Sequence, residues 1–270
     1  ACRHFTECGG CAVQHLEADA YRAWKRDKVE HALKSKGIEA EVGAMVPCEP
    51  HSRRRVTFSA RRTAGGMLFG FVRALSNEII SIAECPIAVP EIVARLESLK
   101  ALAGLICVTT KPFHMTVTAT ASGLDIAASD SGAMDERQRR AAADFVIAQH
   151  FARLSVDGEI VIEPQKPMVR FGDVAVNVPP GVFLQATAAA EAAMAERVGA
   201  HLARAKKVAD LFSGCGSFAL RLAAKAEVHA VEGDAAALAA LDHGFRFATG
   251  LRRVTTERRD LFRRPLTFKE

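Results

Sequence analysis

The chain has 270 residues, 49% of them hydrophobic and 25% charged, and its 36 lysines and arginines outnumber its 31 aspartates and glutamates. This composition excludes a disordered chain and leaves room for two ordinary domains. No run of about 18 apolar residues could span a bilayer, and the start lacks the basic and apolar pattern of a secretory signal, so we expect a cytoplasmic protein without a membrane partner.

Three cysteines, Cys2, Cys8 and Cys11, stand at the start of the chain in a segment whose two adjacent glycines permit a tight loop. An odd total of seven cysteines without a secretory signal makes a disulfide framework the weakest explanation. A tetrahedral site needs a fourth ligand, and Cys85 is the candidate because a proline follows it. The spacing leaves zinc and an iron-sulfur cluster open, since both accept four thiolates. Unliganded cysteines are the third alternative, and Cys48 and Cys107 are expected to be small apolar fillers.

The next elements belong to an α+β domain that we expect to span residues 1–165. Residues 21–37 carry apolar side chains at helical spacing and end in a glycine. From about residue 40 to 165, short alternating or β-branched stretches are separated by turn residues, which predicts antiparallel hairpins. Helices are expected at about 90–102 and 134–150.

The pattern changes after residue 165. A strand and a proline-marked turn precede an alanine-rich helix, expected at about 187–205. Strand and helix patterns then alternate to the end of the chain. Such alternation predicts a parallel sheet with crossover helices, so residues 166–270 are expected to form a Rossmann-type α/β domain.

The loop after the first strand of this domain carries Gly214 and Gly216, which let the backbone pass close beneath a ligand at the carboxyl edge of the sheet. The next strand ends in Glu232, a carboxylate placed to accept ribose hydroxyls, and a third strand leads to Asp260, which could accept from an adenine amino group. The loop lacks basic phosphate ligands, so a nucleoside is favoured over a pyrophosphate, and S-adenosylmethionine fits best. Cys215 in the same loop is expected to fill space rather than act as a nucleophile.

The basic residues are grouped in a way that bears on the partner. Arginine runs occur at positions 53–55, 61–62, 139–140, 252–253, 258–259 and 263–264. Any one run is an ordinary solvated surface. Six runs together favour a polyanion, because guanidinium groups match phosphate geometry and release counterions on binding.

Four segments, "CRHFTECGGCAVQHL", "GFVRALSNEIISIAECPI", "FLQAT" and "DLFSGCGSFALRLA", resemble the iron-sulfur-containing RNA uridine C5-methyltransferases, especially the group that modifies 23S ribosomal RNA. The resemblance runs through nearly the whole chain. It implies an incomplete S-adenosylmethionine-dependent methyltransferase domain preceded by an iron-sulfur domain, with a [4Fe-4S] cluster as second cofactor. By the resemblance the cluster is held by Cys2, Cys8, Cys11 and Cys85, and the cofactor by Gln185, Phe212, Ser217, Glu232 and Asp260, beside the two loop glycines.

In this family a cysteine attacks C6 of the uracil and a carboxylate later removes the C5 proton, because C5 is a poor nucleophile until the ring is saturated. No residue of this chain matches that nucleophile or that base, so we expect a fragment that lacks both. The expected partner is RNA, ribosomal RNA first, bound by a monomer. Three alternatives stay open: a transfer RNA enzyme, an RNA-binding module without activity, and an oxidoreductase that uses the cluster for electron transfer.

Overall fold

A computed structural model describes residues 2–267, and within them the first region is a seven-stranded sheet. Its strands are β1 (Arg55–Thr63), β2 (Gly66–Val72), β3 (Ile79–Ser81), β4 (Phe113–Thr120), β5 (Gly123–Ser129), β6 (Arg153–Val156) and β7 (Glu159–Ile162). The spatial order is β3-β2-β1-β4-β5-β6-β7. All neighbours run antiparallel except β5 and β6, which pair in parallel because a helix connects them.

Helices accompany this sheet. They are α1 (Ala18–Lys34), α2 (Pro90–Val93), α3 (Leu96–Ile106) and α4 (Glu136–Ala148). Helix α3 buries a stripe that includes Leu99 and Leu102, and α4 starts at a capping box between Asp135 and Gln138. The helices α3 and α4 pack with the sheet into one hydrophobic cluster, whereas α1 buries none of its residues.

The second region begins with a hairpin and continues as a parallel sheet. Its elements are β8 (Met168–Phe171), β9 (Val174–Asn177), α5 (Ala188–His201), β10 (Lys207–Leu211), α6 (Ala219–Leu222), β11 (Glu227–Glu232), α7 (Ala235–Arg246) and β12 (Val254–Arg258). The parallel order is β10-β11-β12. A second hydrophobic cluster, built from Val169 to Val254, contains the hairpin, the sheet and α7.

Several expected elements differ from the observed ones. The helix expected at 90–102 is divided into α2 and α3, and α5 ends at His201, earlier than expected. The strands β6 and β8 have no counterpart among the expected elements. All four residues of β6 are buried, which removes any alternation. Cys107 is buried as expected, but Cys48 is exposed, so its assignment as a filler is wrong. No helix in residues 2–267 has the length and apolarity that a membrane crossing requires.

Candidate functional site

The carboxyl ends of β10 and β11 form the first candidate site. The glycine loop after β10 lies beside the turn that precedes α5, and together they enclose a cavity of about 110 Å³. Four of the expected cofactor residues line it: Gln185, Phe212, Gly214 and Ser217. Small-molecule sites usually measure about 300–1,000 Å³. The cavity therefore encloses part of a nucleoside-sized ligand at most.

Phe212 is held in an unusual backbone conformation directly after β10. Its φ angle is +59°, in the left-handed region that aromatic residues rarely adopt. Its side chain is 55% exposed, and its ring centroid lies 5.2 Å from that of Phe262. Backbone strain that persists at an exposed apolar residue is typical of ligand-contacting positions.

Glu232 joins the glycine loop to the end of β11. Its carboxylate accepts hydrogen bonds from the backbone N–H groups of Gly214 at 2.9 Å, Gly233 at 2.6 Å and Asp234 at 2.9 Å. A carboxylate has about four acceptor positions. Glu232 thus fixes the loop while keeping acceptor capacity toward the edge of the sheet.

Two buried polar atoms near the loop have no hydrogen-bond partner within residues 2–267: Oδ2 of Asp210 and Oγ of Ser213. Burial raises the pKa of the Asp210 carboxyl to about 6, and the negative charge of Glu232 adds to the rise. Unpartnered buried atoms of this kind can be satisfied by an ordered water or by a bound ligand. Asp210 is not among the predicted site residues, although its signal, an acidic residue inside an apolar strand, is visible in the sequence.

Three of the expected cofactor residues, Gly216, Glu232 and Asp260, do not line the cavity. A Cβ atom on Gly216 would lie 2.8 Å from Cγ of Leu241, so this glycine allows α7 to pack closely against the loop. The carboxylate of Asp260 accepts from the backbone N–H groups of Phe262 and Arg263 and caps the turn after β12. The contact between Phe262 and Phe212 links the turn of Asp260 to the cavity.

Cys215 is buried in the glycine loop. Burial raises the pKa of its thiol to about 12, and the carboxylates of Asp234 and Glu232 contribute in the same direction. A reactive cysteine needs an accessible thiolate. Cys215 therefore fills space in the second hydrophobic cluster, in line with the expectation for it.

The second candidate site is a cavity of about 280 Å³ at the start of the chain, lined by all four expected cluster ligands: Cys2, Cys8, Cys11 and Cys85. Hydrogen bonds between residues some eighty positions apart hold Cys85 near the other three cysteines. The N–H of Arg3 donates to Glu84 Oε1 at 2.7 Å, and the N–H of Ala83 donates to Nε2 of His4 at 3.1 Å. We call this space the cysteine cavity.

Gly9 anchors the cysteine loop on the sheet. Its N–H donates to the carbonyl of Val72 at 3.0 Å, and a Cβ atom at this position would lie 2.5 Å from the same carbonyl oxygen. Only glycine allows so close an approach. The two adjacent glycines therefore differ in their structural role. A Cβ atom on Gly10 would lie 3.4 Å from Sγ of Cys8 and would contact no backbone atom as closely as one on Gly9.

Hydrogen-bond donors and an arginine give the cysteine cavity a lining that suits an anion. Backbone N–H groups of His4 and Gly10 donate to Sγ of Cys2 and Cys8 at 3.4 Å each, a contact that stabilises thiolates. Arg55 lines the same cavity, and its buried Nε has no hydrogen-bond partner in the described part of the chain. Burial, helped by the charge of Arg53, lowers the pKa of Arg55. An anion in the cavity would satisfy this guanidinium.

Burial and neighbouring charge also determine the protonation state of the cysteine thiols. Burial raises the pKa of Cys2 and of Cys8. The carboxylate of Glu84 raises the pKa of Cys2 further, and the neighbouring cysteines raise that of Cys8. Both thiols therefore favour the neutral form. Among residues 2–267, no three His, Cys, Asp or Glu side chains converge closely enough to bind a single metal ion.

A buried ion-pair cluster connects the two regions beside the first site. Glu191 of α5 is 1% exposed, and its carboxylate lies 2.7 Å from Nη2 of Arg54 and 3.2 Å from Nη2 of Arg221. Arg54, the residue before β1, also donates from Nε to the carbonyl of Gln185 at 3.2 Å. This contact fixes the turn that carries Gln185, so the first region helps to shape the cavity of the second.

Relatives of this chain are found among curated proteins. An uncharacterised RNA methyltransferase of Mesorhizobium japonicum is 72% identical over 270 residues, which cover 100% of this chain and 65% of that protein. Another from Caulobacter vibrioides is 40% identical, with coverages of 100% and 67%. The 23S rRNA (uracil(1939)-C(5))-methyltransferase of Aliivibrio salmonicida is 26% identical over 86% of this chain and 55% of its own. No protein-family model matches the chain.

A solved structure shares the fold. The tRNA (uracil-54, C5)-methyltransferase of Pyrococcus abyssi, in complex with S-adenosyl-L-homocysteine, superposes with a TM-score of 0.71 at 19% identity. The match covers 93% of this chain and 65% of that one. The chain likewise spans about 65% of the length of the first curated relatives that it matches.

Proposed function

The chain belongs to a family of RNA methyltransferases, and on that premise we propose that the full-length protein uses S-adenosylmethionine to methylate C5 of a uridine in RNA. The observation that carries the proposal is the edge formed by the glycine loop and Glu232, with the orphaned oxygens of Asp210 and Ser213 near it. Carboxylates at the ends of neighbouring parallel strands, next to a glycine loop, suit a nucleoside cofactor.

Each residue at this edge has a proposed task in binding the cofactor. When bound, S-adenosylmethionine supplies a methyl group on a positively charged sulfur. Gln185, Phe212, Gly214 and Ser217 line the cavity and would contact the ligand directly. Glu232 would accept from ribose hydroxyls with its remaining capacity, and Gly216 would keep α7 close. Asp260, which caps its own turn, would reach the ligand only if that turn adjusts.

Calorimetry on the chain tests the cofactor and separates the proposal from the oxidoreductase alternative. We expect S-adenosylmethionine to bind and nicotinamide dinucleotides to give no heat. Glu232→Gln should weaken binding by about tenfold, because a charged acceptor is lost from the ribose site. Glu227→Gln, an exposed change on the same strand, is the control. Nicotinamide binding in place of S-adenosylmethionine would contradict the proposal.

We further propose that residues 1–165 form an iron-sulfur domain and residues 166–270 the cofactor-binding part of the methyltransferase domain. In this proposal Cys2, Cys8, Cys11 and Cys85 hold a [4Fe-4S] cluster in the cysteine cavity. The support is the size of the cavity, the N–H groups directed at sulfur and the unpaired Arg55. Since methyl transfer consumes no electrons, the cluster would serve the architecture of the RNA-binding surface.

Anaerobic purification with iron, sulfide and zinc analysis tests the cluster. We expect about four irons and four sulfides per chain, lost in Cys85→Ser and retained in Cys107→Ser. Cluster loss should weaken RNA binding and leave the affinity for S-adenosylmethionine unchanged. A colourless protein that contains zinc would contradict the iron-sulfur assignment without affecting the methyltransferase proposal.

The RNA substrate is proposed to be 23S ribosomal RNA, with transfer RNA as the alternative. The 26% identical relative is named as a 23S rRNA methyltransferase, whereas the enzyme with the shared fold is named as a tRNA methyltransferase. A uracil must leave its stack to reach a methyl donor, so a loop or an unpaired segment is the expected target. Mass mapping of 5-methyluridine in both RNA classes from a deletion strain decides between them.

A further inference from the structure

Helix α1 projects a face of unusual composition. Tyr21, Trp24, Lys25 and Lys28 are spaced i, i+3, i+4 and i+7, so they share one side of the helix. The rings of Tyr21 and Trp24 lie 6.1 Å apart. The ammonium of Lys28 is 4.5 Å from the centroid of Trp24, and that of Lys25 is 5.6 Å from the centroid of Tyr21. We call these four residues the aromatic-lysine face.

The charges of α1 are divided between two sides. Arg22 pairs with Asp19 at 2.8 Å, and Arg26 pairs with Glu30 at 2.9 Å. These arginines are already neutralised by carboxylates of the same helix. Within residues 2–267, neither Lys25 nor Lys28 forms an ion pair with a carboxylate. Two lysines of the helix that lack an ion pair, Lys25 and Lys28, therefore lie on the same side as its two aromatic rings.

The helix gains no support from the core. None of its residues is buried, and Trp24 is 36% exposed. Trp24 is partly exposed and Tyr21 is half-buried, so each ring is accessible in part. Accessible rings beside lysines without ion pairs match the needs of a single-stranded nucleic acid, because bases stack on aromatic rings and phosphates pair with ammonium groups.

We propose that the aromatic-lysine face of α1 binds a single-stranded segment of the RNA substrate, with a base stacked on Trp24 and phosphates contacting Lys25 and Lys28. This inference rests on the proposed function, since it takes RNA as the substrate. Helix α1 follows the cysteine loop after only a few residues, so the cysteine cavity would position the face. RNA bound to this face would contact the protein beyond the edge formed by the glycine loop and Glu232.

Trp24 is the only tryptophan of the 270 residues and therefore reports on this face directly. We would titrate the chain with a single-stranded uridine-rich RNA of about 15 nucleotides and follow tryptophan fluorescence. Saturable quenching is expected, since a stacked base alters the environment of the indole. An RNA duplex of similar length should quench less, because its bases are not free to stack.

Variants measured by anisotropy of labelled RNA complete the test. Lys25→Gln with Lys28→Gln should weaken binding several-fold and lower the salt slope by about 1.4, the value expected for two lost phosphate contacts on a single strand. Arg22→Gln with Arg26→Gln removes equal charge from the other side and should change affinity far less. Trp24→Ala should cost about tenfold and Trp24→Phe much less.

Each contrary result has a distinct meaning. RNA binding with unquenched Trp24 and equal affinity in both double variants would overturn the inference and leave the methyltransferase proposal standing. Failure of the chain to bind any RNA would overturn the inference and count against RNA as the substrate. Fluorescence that changes with protein concentration alone would assign the face to a second copy of the chain and overturn the inference.

Discussion

At the residue scale, two carboxylates of the second region differ in how their charge is satisfied. Glu191 has an arginine at each oxygen, whereas Asp210 leaves Oδ2 without a partner in the described part of the chain. Burial outweighs the backbone hydrogen bond that Asp210 accepts from Ala219 and raises the pKa of the carboxyl, so its ionisation destabilises the native state. A fold retains such a group when a ligand requires it, so Asp210 is the residue at which stability and function should conflict most clearly.

Asp210→Asn should therefore stabilise the chain near neutral pH. Burial raises the carboxyl pKa from 3.8 to about 6, so the native state holds a proton that the unfolded state releases, and stability is lost as pH rises from about 4 to about 6. The variant should flatten this decline and gain about 1–2 kcal/mol at pH 7. Urea unfolding at several pH values measures both the pH dependence of the free energy of unfolding and its gain at pH 7.

Asp144→Asn on the exposed side of α4 is the matched control, and its stability should change by less than about 0.5 kcal/mol. An unchanged pH profile in Asp210→Asn would show that the carboxyl is already satisfied in solution. Weaker binding of S-adenosylmethionine by the stabilised variant would support a ligand-facing role for Asp210.

At the element scale, the cysteine loop depends on its register with the edge of the first sheet. Gly9→Ala should displace the loop, because its Cβ atom would meet the carbonyl of Val72 on β2. Gly10→Ala introduces the same methyl group one residue later, with only a tolerable contact to Sγ of Cys8. We expect Gly9→Ala to lose most of its bound iron and Gly10→Ala to keep most of it. Equal iron contents would contradict the anchoring of the cluster loop by Gly9.

Sequence patterns predict these elements where local chemistry determines them. Turn and cap residues in the sequence predict the glycine loop, the acidic strand end at Glu232 and the helix that follows. The strands β6 and β8 are too short to show a period, and only their partners in the sheet define them. Helix α6 is a single turn, Ala219–Leu222, although the apolar run in the sequence is longer.

At the scale of the whole molecule, both candidate sites are assembled from distant segments. The cysteine cavity depends on contacts between Arg3 and Glu84, and the cofactor cavity depends on the contact between Arg54 and the carbonyl of Gln185. No local pattern predicts such pairs. The sequence could identify which residues belong together only through the family resemblance, and it could not predict the Glu191 cluster that connects the two regions.

Glu191→Ala should consequently weaken the whole chain and not one region alone. Removal of the carboxylate leaves Arg54 and Arg221 without a buried counter-charge, at a cost of roughly 3–5 kcal/mol. Glu159→Ala removes an exposed partner of Arg139 and should cost less than about 1 kcal/mol. Chemical unfolding compares the free energies of unfolding of the two variants. A cost for Glu191→Ala as small as that of the control would mean that the regions are held together by other contacts.

We propose that the full-length protein places a methyl group on C5 of uridine. The most direct measurement supplies the full-length protein with S-adenosylmethionine and RNA tritiated at uridine C5, then compares tritium released to water with 5-methyluridine formed. Replacing the C5 hydrogen with a methyl group must release that hydrogen, so we predict that both quantities rise together, one for one. Methylated RNA that keeps its tritium, or RNA that gains no methyl group, would contradict the account.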